Sequence, residues 1–408
     1  MFCRGRSARR RTGREVEIVS TGVGDAGTGG ERPSYEDPET IQKLLVGAIG
    51  ILDTFDAEQR RAAVLDFDDP ARLDWDIIPR PDRTGVSLHQ LDRHQKVAVL
   101  EMVRLATSYE VFTKVLAIMQ LEHVLRARET DFLGFAAPLW RTSDSYFFTV
   151  FGRPGFEDTW SFRFLGHHVC LNVTVVEQRW LSTTPSALGQ QPVNDPGVLD
   201  PLRDDEGLAF ALLDALEPAQ ADAALVHAVA PADFVTRQVP RVGAVEYPDT
   251  YDLGMPQYQI GTADREALAW RRDAPGGLCA AEMTDDQRAL LSDLVAVYLA
   301  RCPDRLAAEY AAELEAEGPE RLFFAWAGVR DRTDAHYFRI TSGRLLIETV
   351  NAVDHGDHLH SVLRDLDQDF AHDLLGAAAE RSAREGSHLD TRTTSSEVTG
   401  LRHVDGAW

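Results

Sequence analysis

Residues 147–172, FFTVFGRPGFEDTWSFRFLGHHVCLN, lie without a gap over residues 323–348, FFAWAGVRDRTDAHYFRITSGRLLIE, 176 positions downstream. Six pairs are identical: Phe147/Phe323, Phe148/Phe324, Gly152/Gly328, Asp158/Asp334, Phe162/Phe338 and Arg163/Arg339. Others, such as Leu171/Ile347, keep their apolar character. Such a match points to internal duplication, two copies of one αβ unit that diverge where polar chemistry would sit. Aromatic and β-branched runs flank Gly152 and Gly328. They read as consecutive antiparallel strands turned at a glycine, the residue that takes positive φ without penalty.

Helix starts recur in step with this repeat. A capping box needs an N-cap acceptor and a Gln or Glu three residues on, so that two orphan amides are satisfied reciprocally. Asp56-Ala-Glu-Gln59, Asp92-Arg-His-Gln95 and Thr284-Asp-Asp-Gln287 fit, and Glu217-Pro-Ala-Gln220 is a degraded version. Residues 109–128 predict one long amphipathic helix. The fold class is therefore α+β: an internally duplicated helix–antiparallel-sheet unit, with two meanders related by a pseudo-twofold. Residues 37–200 form the first repeat and 201–382 the second. Proline-rich stretches at 185–205 and 239–282 read as loops, and would equally join two separate domains.

The flanks differ in composition. Residues 1–36 carry six arginines before a Gly/Thr/Ser-rich run, without the apolar core of a secretion signal. They read as a disordered leader or an over-extended translation start. Residues 383–408 read as a flexible tail. No run approaches the ~18 apolar residues that span a bilayer.

A net charge of −23 argues against nucleic acid or an anionic membrane as partner, since both would be repelled. A small-molecule substrate or ligand is left as the expected partner, and the oligomeric state is not set by composition. The cysteines, Cys3, Cys170, Cys279 and Cys302, form no C-x-x-C pair. Neither a disulfide framework nor a zinc knuckle is expected, which suits a cytoplasmic protein.

Two histidine groups carry the candidate chemistry. His167 and His168, read as strand neighbours, would point to opposite faces, His168 sharing its side with Cys170 and Asn172. His358 and His360 would project from one strand face about 7 Å apart, close enough to hold one ion. Glu348 is a candidate carboxylate ligand, and Arg364 a clamp for a carboxylate or phosphate. A His-x-His pair is equally compatible with a solvated or hydrogen-bonded strand edge. Arg163 and Arg339 read as structural, each paired with an acid, and Trp140, Trp160, Trp180 and Trp326 as core or cleft walls. There is no G-x-S-x-G, Walker loop, strand-linked G-x-G-x-x-G or H-E-x-x-H.

Three stretches together resemble bacterial domain-of-unknown-function family 3500. They are LDFDDPARLDWDIIPRPDRTGVSL (65–88), the run from Tyr146 through Gly166-His167-His168 to Asn172, and LLIETVNAVDHGDHLHSVLRDLDQDFAHDLL (345–375). The matching positions are Trp75, Arg80, Trp160, Gly166, His167, His168, Asn172, Glu348, Asn351, His358, His360, Arg364 and Asp365. Thr349 stands where the family has an aromatic, and Leu359 where it has isoleucine. The resemblance implies where a site lies and names no activity.

The expected function is a metal-dependent enzyme acting on a small molecule, with a lean to hydrolysis. His167, His168, Glu348, His358 and His360 would hold a divalent ion; zinc, iron and copper are not distinguished. Asn172 and Arg364 would orient substrate, and Asp365 would steer a histidine or Arg364. The alternatives are a metal-dependent oxidoreductase at the same site, a non-catalytic ligand-binding or interaction protein, and metal-free acid–base catalysis by His168 and Glu348.

Overall fold

The computed structural model describes residues 34–79, 82–133, 141–243 and 261–392. The leader to residue 33, Arg80, Trp140 and the chain beyond Arg392 lie outside them. The first half runs α1 (Pro38–Thr54), α2 (Ala57–Ala63), β1 (Val64–Leu65), β2 (Val86–Ser87), α3 (Arg93–Ala106) and α4 (Tyr109–Leu133). Strands β3 (Tyr146–Phe151), β4 (Trp160–Gly166), β5 (Val169–Val176), β6 (Trp180–Ser182) and β7 (Ser186–Gln190) complete it. Next come α5 (Arg203–Ala215), α6 (Pro218–Ala224), β8 (Leu225–His227), α7 (Thr262–Leu268), β9 (Leu278–Cys279), α8 (Asp285–Leu299) and α9 (Asp304–Glu317). Strands β10 (Phe323–Gly328), β11 (His336–Thr341), β12 (Leu345–Val353) and β13 (His358–Asp365) precede α10 (His372–Arg392).

Local sequence accounts for most of these boundaries. All four capping boxes form, opening α2, α3, α6 and α8. Gly152 and Gly328 take φ of 85° and 89°. Arg163 and Arg339 are buried, but their partners are backbone carbonyls and not acids. Arg163 donates to Ala71 O and Asp74 O, Arg339 to Leu268 O and Pro275 O. Arg163 thereby pins the chain at 71–74 to the sheet, and Arg339 pins the end of α7 and the loop after it. Trp160 and Trp326 are core residues.

The strands make one mixed sheet in the order β1-β3-β4-β5-β7-β13-β12-β11-β10-β8, with β2 on β3, β6 on β5 and β9 on β10. The halves meet where β7 runs antiparallel to β13, His360 opposite Gly189 and Leu363 opposite Ser186. This corrects the reading of 185–205 as loop. Ser-Ala-Leu-Gly-Gln has little intrinsic strand preference, but flanking strands take up its backbone groups on both sides. The other expected loop, 239–282, contains α7 and β9 in its described part.

Alternation along the strands makes two unlike faces. On one, Phe162, Phe164, Val173 and Leu188 pack under α1, α3 and α4, while Phe338, Ile347 and Leu363 pack under α5, α8 and α9. Burying each such side chain contributes about 1.5–3 kcal/mol. The other face is covered largely by irregular chain, with Trp75, Ile77 and Phe234 packed on Leu165, Cys170, Val350 and Val362. The histidines gather beside that second layer. No helix among the described residues is long and apolar enough to cross a membrane.

Candidate metal centre

His167 and His168 are not strand neighbours on opposite faces. They form the turn between β4 and β5, His168 with a φ of 63°, and their rings stack with centroids 3.6 Å apart. Three hydrogen bonds hold this turn: Tyr146 OH to His167 O at 2.8 Å, His168 N to Ile77 O at 3.0 Å, and Gly189 N to His168 O at 2.8 Å. Glycine at 189 leaves room for the imidazole, since a Cβ there would lie 2.7 Å from His168 Cδ2.

From β13, His358 and His360 reach the same spot. His358 Nε2 lies 2.8 Å from His168 Nε2 and 3.1 Å from His360 Nε2. Ligand atoms of His167, His168 and His358 all fall within 4.8 Å of one another. Nitrogens bonded at ~2.1 Å around a tetrahedral ion would stand about 3.4 Å apart, so the His168–His358 pair at 2.8 Å would open and the wider separations, up to 4.8 Å, would close around an ion. Asn351 Oδ1 accepts from His358 N at 3.0 Å and steadies the start of β13.

The outer nitrogens are backed by carboxylates. Glu122 Oε1 contacts His167 Nδ1, and Asp233 Oδ1 lies 3.2 Å from His360 Nδ1. Arg141 Nη1 also approaches His167 Nδ1, at 2.7 Å, while pairing with Glu122 at 3.3 Å, and Arg141 Nη2 pairs with Glu129 at 2.6 Å. An ionised Glu122 favours hydrogen on Nδ1, which frees the Nε2 lone pair, whereas Arg141, which can only donate, favours a bare Nδ1; the two neighbours pull the tautomer in opposite directions. That His167 Nε2 is buried without a hydrogen-bond partner. Carboxylates behind imidazoles orient metal-ligating histidines and raise their basicity.

Burial pushes His167, His168 and His358 well below the usual histidine range, and neighbouring imidazoles and Arg141 push the same way. Neutral imidazole is the form a metal requires. Burial also raises the Glu122 carboxyl to about 6, against the pull of Arg141.

Residues 37–372 match the family model described as Protein of unknown function (DUF3500). The chain belongs to the DUF3500 family. No curated protein and no solved structure matches it. All the site residues lie inside the DUF3500 match, and the structure distributes them in two groups.

His167, His168, His358 and His360 come together; Glu348 does not join them. Its buried carboxylate accepts from Val235 N at 2.7 Å, Thr236 N at 3.2 Å, Thr236 Oγ1 and Tyr337 OH at 2.9 Å. This also removes the basis for a His168–Glu348 acid–base pair. Arg364 is buried and committed, donating to Asp369 Oδ2 at 2.6 Å, Arg237 O at 3.1 Å and Val239 O at 2.6 Å. Asp365, its strand neighbour, points to the opposite, helix-covered face and accepts from Tyr35 OH at 2.7 Å and Tyr310 OH at 2.8 Å. Burial raises the Asp365 carboxyl. Asn172 Nδ2 donates to Pro185 O at 2.8 Å. These bonds leave Arg364 no open clamp, whereas Asn172 Oδ1 is buried without a hydrogen-bond partner.

Sequence reasoning missed Glu122, Arg141, Asp233, Tyr146 and Gly189. Only Gly189 carried a signal, an isolated glycine in a short extended run, which marks close approach of another group.

Proposed function

We propose that this chain is a metal-dependent enzyme acting on a small molecule, with a divalent ion held by Nε2 of His167, His168 and His358 and with His360 beside them. The observation that carries the reading is the buried convergence of these nitrogens, with His168 and His358 2.8 Å apart and the His167 nitrogen unpartnered. An all-imidazole donor set suits zinc, copper or iron rather than magnesium or calcium. Three protein ligands with a further position open is the pattern of catalytic sites. A bound ion of this kind supplies water with a pKa near 7, which favours hydrolysis; with iron or copper the same donors serve an oxidoreductase. Glu122 and Asp233 hold the outer imidazole nitrogens, and Tyr146 and Gly189 keep the His167–His168 turn in place. The test is metal analysis of protein purified without a histidine tag. About one equivalent of ion, lost in a His358→Ala/His360→Ala double variant, is expected. Less than about a tenth of an equivalent, with stability unchanged by chelation, would leave the non-catalytic ligand-binding alternative.

We also infer that residues 37–200 and 201–382 are two copies of one unit related by a pseudo-twofold. Matched local chemistry supports this. Gln59 and Gln95 exchange side-chain amide bonds at 3.1 and 3.0 Å, as Gln220 and Gln287 do at 2.9 Å. Val86 pairs with Phe148 as Leu278 pairs with Phe324. The unpaired thiols of Cys170, Cys279 and Cys302 suit a cytoplasmic setting.

A further inference from the structure

We propose that Glu348 and Arg364 are positioning residues for the metal centre, acting through residues 233–239; this rests on the metal reading above. That segment has no regular secondary structure and lies on the face of the sheet that carries His358, His360 and Arg364. Its contacts progress along β13 in step. Asp233 reaches His360 Nδ1, at 3.2 Å. Val235 and Thr236 then donate to Glu348, which stands across from Val362. Finally Arg237 O and Val239 O accept from Arg364, and Trp75 Nε1 adds a bond to Val239 O at 3.3 Å.

The two charged side chains thus make the fixed end of a strap whose other end is the Asp233 carboxylate. From His360 to Arg364 the strand advances about 13 Å at ~3.3 Å per residue, a span the segment follows from 233 to 239. Within the strap, Gln238 Nε2 donates to Asp233 Oδ2 at 3.3 Å and Phe234 N to Asp233 Oδ1 at 2.8 Å. The aspartate rotamer is therefore set by backbone that Glu348 and Arg364 hold. Those anchors fix on the sheet the backbone that carries Phe234 and Gln238, and with it the place of the carboxylate. His360 Nε2 stands 3.1 Å from His358 Nε2, so an unsteadied His360 ring disturbs the ligand beside it, and losing an outer carboxylate of this kind typically weakens metal binding ten- to hundred-fold.

The experiment titrates Co2+ into metal-free, untagged full-length protein, following affinity and the visible ligand-field spectrum, with unfolding measured in parallel. Glu348→Gln turns one acceptor into a donor facing the Val235 and Thr236 amides. It should weaken Co2+ binding about tenfold and shift the spectrum as Asp233→Asn does. In the double variant the loss should be no greater than in Asp233→Asn alone, because both changes act on one contact. Should Glu348→Gln not fold, Thr236→Val removes one anchor bond and should weaken binding two- to fivefold with the same non-additivity. Unchanged affinity and spectrum in a folded variant, or losses that multiply, would overturn the positioning role. A wild-type protein that takes up no Co2+ would instead overturn the metal reading itself.

Discussion

Gly189→Ala isolates the fit of one imidazole in the cluster. Position 189 lies on β7 opposite His360, outside the left-handed region, so alanine brings no backbone penalty. The added Cβ would meet His168 Cδ2 at 2.7 Å, Leu359 O at 2.9 Å and His168 Cγ at 3.0 Å. Carbon atoms rest at about 3.5–4.0 Å, so the ring must retreat by about 0.8 Å. It has little room, being stacked on His167 at 3.6 Å with Nε2 2.8 Å from His358. Overpacking of this kind costs about 1–3 kcal/mol, to be read from denaturant unfolding in the presence of chelator. Metal sites tolerate about 0.2 Å, so the same displacement should also weaken Zn2+ affinity at least tenfold in a competition titration. Gly207→Ala in α5 is the control: a Cβ there meets nothing within 4 Å, and a gain of about 0.5–1 kcal/mol is expected. A Gly189→Ala protein matching wild type in both stability and Zn2+ affinity would refute the account of the cluster as tightly built.

Acid should unfold the metal-free protein through its histidines. Their folded pKa values lie below those of the unfolded chain, so below about pH 6.5 the unfolded state takes up protons that the folded state refuses. The stabilisation is intact above that pH and lost on acidification, with a slope approaching ~1.4 kcal/mol per pH unit for each of His167, His168 and His358. Chemical unfolding at pH 7.5 and 5.5 measures it, and a His358→Gln variant should show a shallower dependence. Asp205→Ala should destabilise by about 3–5 kcal/mol, because Asp205 answers both Lys114 at 2.7 Å and Arg301 at 3.0 Å in a buried setting. Calorimetry would show the loss; a change under 1 kcal/mol would mean that the two cations find other partners.

Much of the secondary structure was readable because its determinants are local. The capping boxes at Asp56, Asp92, Glu217 and Thr284 needed only residues three apart, and the turns at Gly152 and Gly328 only a residue free to take positive φ. The long helix after Ser108 followed from its apolar spacing, although it runs on to Leu133. β7 was not readable: its five residues carry no strand preference and become a strand through neighbours far away in sequence. At the site, the histidines were nameable because few other residue types do this chemistry. Glu348 and Arg364 were nameable too, but their roles were not. A buried carboxylate and guanidinium look alike on paper whether they meet a ligand or, as here, the backbone of residues 235–239.

The amino-acid order by itself determined the α+β composition, the helix starts, the repeated strand pattern and the histidines worth watching, since each depends on interactions within a few residues. Tertiary structure alone decided that the β4–β5 turn meets the start of β13, that Glu122 and Asp233 stand behind the imidazoles, and that Glu348 faces residues 235 and 236. Those contacts join positions separated by 45 to 190 residues, and the pairing of β7 with β13 brings the two halves together at the cluster.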